Sequence, residues 1–311
     1  MIDPQGSGKL PPGAEDKLRE FFGPGRRLGR VAELPLKRLV HDYCEKFIAL
    51  DTDGEPVAFV VVSPRSHPDI VADAAARARA AQAALGERLG ANVLAPFFVG
   101  APDGRSYSIA AYCRPLSSRR VIGRWQRWRL APKALRWVDE SAAATMQPIA
   151  DADLEARIVA PLRAIAGDVK VDASIRAAVS TSLDDLRQGL WRPCTVMSHN
   201  DLWWGNFVRG HAPRNPAAPF FVVDWGGATS HGMPFYDTVR LSMSLELTSR
   251  QRRAVLQRHA AVLGCRASDA LGYVLAALGT FSLDRGEWRE DQFLTGMRSC
   301  FRYTSDALGA R

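Results

Sequence analysis

Apolar and polar positions divide the chain into a strand-rich first third and a helical remainder. β-type patterning over residues 29–36, 42–50 and 56–62 predicts three strands, the second and third joined by a turn at Asp53-Gly54. Residues 69–89 are alanine-rich, lack glycine and proline until Gly86, and read as a helix. Two more strands are predicted at 93–99 and 106–112, joined through Pro102-Asp103-Gly104. Beyond Ala131 the apolar period lengthens to about 3.6 residues. Helices are predicted there over 133–146, 153–166, 174–190, 238–247, 249–263, 267–281 and 291–308.

A different pattern breaks the helical part. Residues 195–224 read TVMSHNDLWWGNFVRG, then a loop, then PFFVVD. The short β-type run at 195–197 leaves the polar residues after it on a loop at a strand's carboxyl end, where side chains can converge on a ligand. His199, Asp201 and Asn206 form H-x-D-x-x-x-x-N there, and a second β-prone run ends on Asp224, eighteen residues beyond Asn206. Loop residues fill 210–219, so 207–208 and 220–223 can pair as a hairpin that brings Asn206 and Asp224 together. This spacing points to phosphoryl transfer. That reaction needs an oriented nucleophile, divalent metal to spread charge over the phosphates, and a carboxylate near the attacking hydroxyl. Asp201 is the candidate carboxylate. Asn206 and Asp224 are the candidate metal ligands, one amide and one anionic oxygen, suited to magnesium, which takes few protein oxygens beside phosphates.

HNDLWWGN followed by VVDWGG resembles the aminoglycoside phosphotransferase and choline kinase superfamily, whose members share the protein kinase-like fold. The likeness is dense in motifs over about 195–240 and a matter of pattern elsewhere. It implies an α+β, bilobal fold, with a small antiparallel-sheet amino-terminal lobe at 24–113; residues 1–23, which begin without an apolar core, read as a flexible tail. A mostly helical carboxyl-terminal lobe at 114–311 carries the catalytic loop and substrate site. By the same resemblance Asp201 is the catalytic base, Asn206 and Asp224 hold Mg2+, and His199 belongs to the catalytic loop as its brace, a buried, hydrogen-bonded imidazole. The linker at 112–116 is where backbone groups bind adenine, so Tyr112 and Cys113 are the candidate nucleotide-binding residues. The implied activity is transfer of the γ-phosphoryl group of ATP or GTP to a hydroxyl of a small molecule. Asn200 stands where protein kinases carry arginine, and Asp237, the next landmark, follows Asp224 by only thirteen residues, leaving no room for a peptide-holding activation loop. Asp237 itself reads as a helix N-cap, compatible with support of the catalytic loop.

One departure opens an alternative. The predicted third strand, Val57-Ala58-Phe59-Val60-Val61-Val62, has no lysine, and the helix after it has no glutamate before Glu87. The ion pair that grips the α and β phosphates in kinase-like folds is therefore missing. Lys46 or Arg65 can replace it, or metal and backbone hold the nucleotide; otherwise the chain is a degenerate kinase-like binding protein without phosphotransfer.

Length and composition narrow the setting. At 311 residues, 47% hydrophobic and 24% charged, the chain can bury one large core or two modest lobes. The amino terminus has no apolar core of a secretory signal, and no apolar run is long enough to span a bilayer. Five scattered cysteines fit reduced thiols in a cytoplasm. The net charge of +8 favours anionic partners such as nucleotide phosphates and weighs against a polycationic substrate. Residues 119–129, RRVIGRWQRWR, hold five arginines and two tryptophans without an acidic residue. Their plain reading is a connecting helix whose Trp125 and Trp128 pack on the core. The alternative is peripheral contact with an anionic substrate or membrane surface. Nucleic acid is not an expected partner, since no recognised nucleic-acid module surrounds the stretch.

Overall fold

The structure, a computed structural model, describes residues 10–22, 27–34, 44–117, 119–210, 218–284 and 289–309. In chain order it runs α1 (Ala14–Phe22), β1 (Leu28–Glu33), β2 (Glu45–Asp51), β3 (Pro56–Val62), α2 (Ile70–Gly90), β4 (Phe98–Gly100), β5 (Tyr107–Ala111) and β6 (Cys113–Pro115). Next come α3 (Arg120–Thr145), β7 (Gln147–Pro148), α4 (Asp151–Leu154), a π-helical turn at Glu155–Val159, α5 (Ala160–Gly167) and α6 (Ala173–Arg187). Strands β8 (Cys194–Ser198), β9 (Phe207–Gly210), β10 (Phe221–Val222) and β11 (Thr229–Gly232) precede α7 (Tyr236–Ser244), α8 (Ser249–Leu263), α9 (Asp269–Leu283) and α10 (Glu290–Leu308). The chain forms two compact units: Met1–Ser118 with Gly205–Gly227, and Arg119–Trp204 with Ala228–Arg311.

The first unit is built on an antiparallel sheet in the order β1-β2-β3-β5-β4. Strands β2 and β3 pair from Glu45↔Val62 to Leu50↔Pro56, and Asp51 closes their turn by accepting the N–H groups of Asp53 and Glu55 through Oδ1 at 3.1 and 2.9 Å. Gly54 at φ +81° supplies the left-handed step of that turn. Alternation sends Phe47, Ala49, Ala58, Val60, Tyr107 and Ile109 to one face, covered by Leu10, Ala14 and Leu18. Residues 14–22, which the sequence predicts as flexible tail, thus form a helix because Ala14 and Leu18 bury on the sheet. Residues 1–9 and 23 of that expected tail lie outside the described residues, as do residues 35–36 and 42–43 of the first two predicted strands. The helix α2 is capped not by Asp69 but by two serine hydroxyls: Ser63 Oγ accepts from Val71 N–H and Ser106 Oγ from Ala72 N–H.

The predicted strand at 93–99 is a strand only from residue 98. Its earlier backbone is used elsewhere: Val222 N–H donates to Asn92, Leu94 N–H donates to Val222, and the Asn92 amide donates to Phe220, all within 2.7–3.0 Å. The predicted hairpin of β9 and β10 is present, with β6 added on its other side in the order β10-β9-β6.

The second unit is helical around α9, whose residues 272–279 are all buried. Its Gly279 lies so close to α5 that a Cβ would meet the Pro161 carbonyl oxygen at 2.2 Å. A small antiparallel sheet, β11-β8-β7, rests on this core, and the buried Tyr273 hydroxyl accepts the Cys194 N–H at 3.0 Å at the start of β8. The connecting helix at 119–129 and the helix predicted at 133–146 are one element: α3 runs through Pro132. Trp125 and Trp128 do not pack on the core as the plain reading predicts; both are exposed. Thr248 and Gln251 form a capping box that starts α8 at the predicted residue.

Candidate active site

In the second unit, β8 ends at Ser198 and the next three residues form a loop fixed by one carboxylate. Asp237 Oδ2 accepts from the Ser198 hydroxyl at 2.8 Å and from His199 N–H at 2.6 Å, while its Oδ1 accepts from Asn200 N–H at 2.9 Å. Asp237 is the second residue of α7 rather than its N-cap, which is Phe235 at φ +68°. Its carboxylate reaches to the loop instead of its own helix. Gly232 on β11 permits the close approach beneath this loop, since a Cβ there would fall 2.1 Å from Ser198 Cβ.

Within the loop, Asn200 takes a left-handed φ of +66°, tolerable for asparagine. His199 is 2% exposed, and its Nδ1 accepts the Asp201 N–H at 3.3 Å. The Asp201 carboxylate is half-exposed and receives Arg240 Nη2 at 3.0 Å from one turn further along α7. Arg240 is a residue that sequence reasoning missed. Its partner lies 39 residues earlier, so no local pattern marks it. Of the paired tryptophans, Trp204 is buried and donates its N–H to Ser244 Oγ at 2.9 Å, while Trp203 is exposed.

In the first unit, Asn206 and Asp224 stand at corresponding ends of paired strands. The β9–β10 register, Phe221↔Val208 and Val222↔Phe207, continues one step further as Val223 N–H donates to the Asn206 carbonyl at 3.0 Å. Asn206 is buried and Asp224 exposed, at a left-handed φ of +68°. Trp225 anchors the turn after Asp224 by burying its ring and donating Nε1–H to the Val222 carbonyl at 3.0 Å. From α2, Arg77 donates to the Gly226 carbonyl. It is a second residue the sequence did not single out. An amide and a carboxylate on adjacent strand ends are the donor set that magnesium shares with phosphate oxygens. Among the described residues no cluster of three or more His, Cys, Asp or Glu could hold a metal unaided.

Tyr112 and Cys113 mark a change of partner. Tyr112 N–H donates to Val57 of β3 at 3.0 Å, and Cys113 pairs with Gly210 of β9. Tyr112 packs against the sheet face formed by Ala32, Ile48, Leu50 and Phe59, opposite α1. Burial pushes the Cys113 thiol up to about 11. Lys46 sits directly across from Val61 and two residues before Ile48, which places it on this same face.

No protein-family model and no curated protein matches the chain. Solved structures do. Aminoglycoside phosphotransferase APH(4)-Ia, as a thermostable mutant in its apo form, gives a TM-score of 0.54 at 16% identity, covering 95% of this chain and 99% of that one. Another variant of it, in ternary complex with AMP-PNP and hygromycin B, gives the same values. A putative fructosamine-3-kinase from Haemophilus somnus 129PT gives 0.53 at 13% identity, covering 94% of this chain and 96% of that one. The chain therefore has the protein kinase-like α+β fold, with an antiparallel sheet in its amino-terminal part and a mostly helical carboxyl-terminal part.

Proposed function

We propose that this protein is a small-molecule kinase that moves the γ-phosphoryl group of ATP to a hydroxyl of a small acceptor with magnesium. The observation that carries the reading is the treatment of the 198–201 loop. A single carboxylate, Asp237, fixes three consecutive residues, and Arg240 from the same helix holds the Asp201 carboxylate. Such preorganisation serves a group that must meet a reacting proton. Asp201 orients the acceptor hydroxyl and takes its proton, and His199 braces the loop through the Asp201 N–H. Asn206 and Asp224 would hold the magnesium, which neutralises phosphate charge when bound. Tyr112 and Cys113 border the adenine, Tyr112 through its ring and carbonyl because its N–H already serves Val57. The choice of ATP and of a small acceptor is supported by the AMP-PNP and hygromycin B held by a protein of similar fold.

A second reading, a kinase-like binding protein without phosphotransfer, is favoured by one observation: β3 carries no lysine and α2 has no glutamate before Glu87. ADP release with ATP, magnesium and a panel of aminoglycosides, amines and sugars separates the two. Acceptor-dependent release that Asp201→Ala abolishes is the expected result. No release with any acceptor, together with no thermal stabilisation by ATP and magnesium, overturns the proposal.

A further inference from the structure

The arginine-rich start of α3 has two apolar sides. Gln126, Leu130 and Ala134 bury the inner one in the second unit. On the outer side Val121, Trp125 and Trp128 recur at i, i+4 and i+7 and are 80, 49 and 77% exposed, with Ile122 beside them at 43%. Arg120, Arg124 and Arg129 are exposed around this stripe, Arg129 lying 5.3 Å over the Trp125 ring. Between Asp103 and Asp139 the chain has no acidic residue. Globular proteins seldom leave such a contiguous aromatic and aliphatic stripe in water without a use for it.

We propose that this outer face of α3 docks on an anionic lipid bilayer. The two kinds of side chain match the two layers of such a surface. Tryptophan prefers the headgroup boundary and valine and isoleucine reach the acyl region, while the flanking arginines meet lipid phosphates and anionic headgroups. Nucleic acid fits less well: indoles and guanidinium groups can stack on bases, but Val121 and Ile122 gain nothing from them. A second copy of the chain would bring like charges face to face. The inference goes beyond the phosphotransfer reading and does not depend on it.

The test is co-sedimentation of the full chain with vesicles of phosphatidylcholine alone and of phosphatidylcholine with phosphatidylglycerol. Binding to the anionic vesicles only is expected. Trp125→Ala with Trp128→Ala should weaken it at least tenfold without lowering the thermal midpoint, since both rings are exposed. Each of Arg120→Gln, Arg124→Gln and Arg129→Gln should weaken it roughly fivefold. Absence of binding to anionic vesicles overturns the proposal. So does binding that the double tryptophan variant retains, which would mark adsorption through net charge. Tighter binding of a single-stranded oligonucleotide than of the anionic vesicles also overturns it, in favour of a nucleic-acid surface.

Discussion

Arg240 reaches Asp201 at 3.0 Å from the same helix that supplies Asp237 to the loop backbone. One helix, α7, therefore sets both the path of the 198–201 loop and the carboxylate it presents. Asp201→Ala should lower turnover by roughly 10² to 10⁴ while ATP binding persists, the span for loss of a positioned acid or base. Arg240→Met leaves the carboxylate present but unheld, and should lower turnover by up to roughly 100-fold. Steady-state kinetics beside calorimetric ATP titrations check both.

Asp237→Ala removes the acceptor of one hydroxyl and two N–H groups in a buried stretch, since Ser198 and His199 are almost inaccessible. The expected cost is about 3 kcal/mol of unfolding free energy in urea, with activity lost. Asp237→Asn keeps one acceptor oxygen and should fall between this variant and the parent.

Asp224→Ala should abolish magnesium-dependent ATP binding, and Asn206→Ala should weaken it at least tenfold. Titration of ATP with and without magnesium reads both. An unchanged magnesium-dependent isotherm for Asp224→Ala contradicts the metal assignment.

Lys46 shares the sheet face that holds Tyr112, whereas Arg65 lies past the end of β3. Lys46→Met should raise the KM for ATP about tenfold, and Arg65→Met should leave it unchanged. The opposite pattern would assign the phosphate contact to Arg65.

Burial holds the Cys113 thiol up near 11 and the Tyr303 hydroxyl up near 12, and burial with neighbouring Asp269 holds Cys265 up near 12. Each folded-state pKa lies above its unfolded value, so the folded chain keeps protons that the unfolded chain releases. The stability these groups contribute is complete below about pH 8.5 and is lost as pH rises through 9 to 12. Chemical denaturation at stepped pH should show the midpoint falling over that window, and Cys113 should resist alkylation at pH 8 until the chain unfolds.

Local rules carried the elements whose hydrogen bonds stay local. The Asp53-Gly54 turn and the start of the helix at 249 follow from residues within a few positions of one another, and the β9–β10 pairing joins runs separated by a single loop. The loop residues His199, Asp201 and Asn206 could be named as candidates because H-x-D-x-x-x-x-N is contiguous in the chain. What escaped depended on distant partners. Residues 92–94 look like a strand of the main sheet, but their backbone pairs with residues 220–222. Leu18 reads as tail until the sheet face it covers is known. Trp125 and Trp128 have helical spacing, which predicts that they share a side but not which side is buried. Arg240 was invisible for the same reason: its partner lies 39 residues earlier.

The attachment of residues 205–227 to the first unit has a practical consequence for anyone dissecting the molecule. A fragment stopped at residue 118 would keep β1 to β5 yet strip β9 from Cys113–Pro115 and β10 from Asn92–Leu94. Two bare backbone ribbons would then be open to intermolecular pairing, so such a truncation should precipitate. Fusing 205–227 to its end through a short linker should keep it in solution.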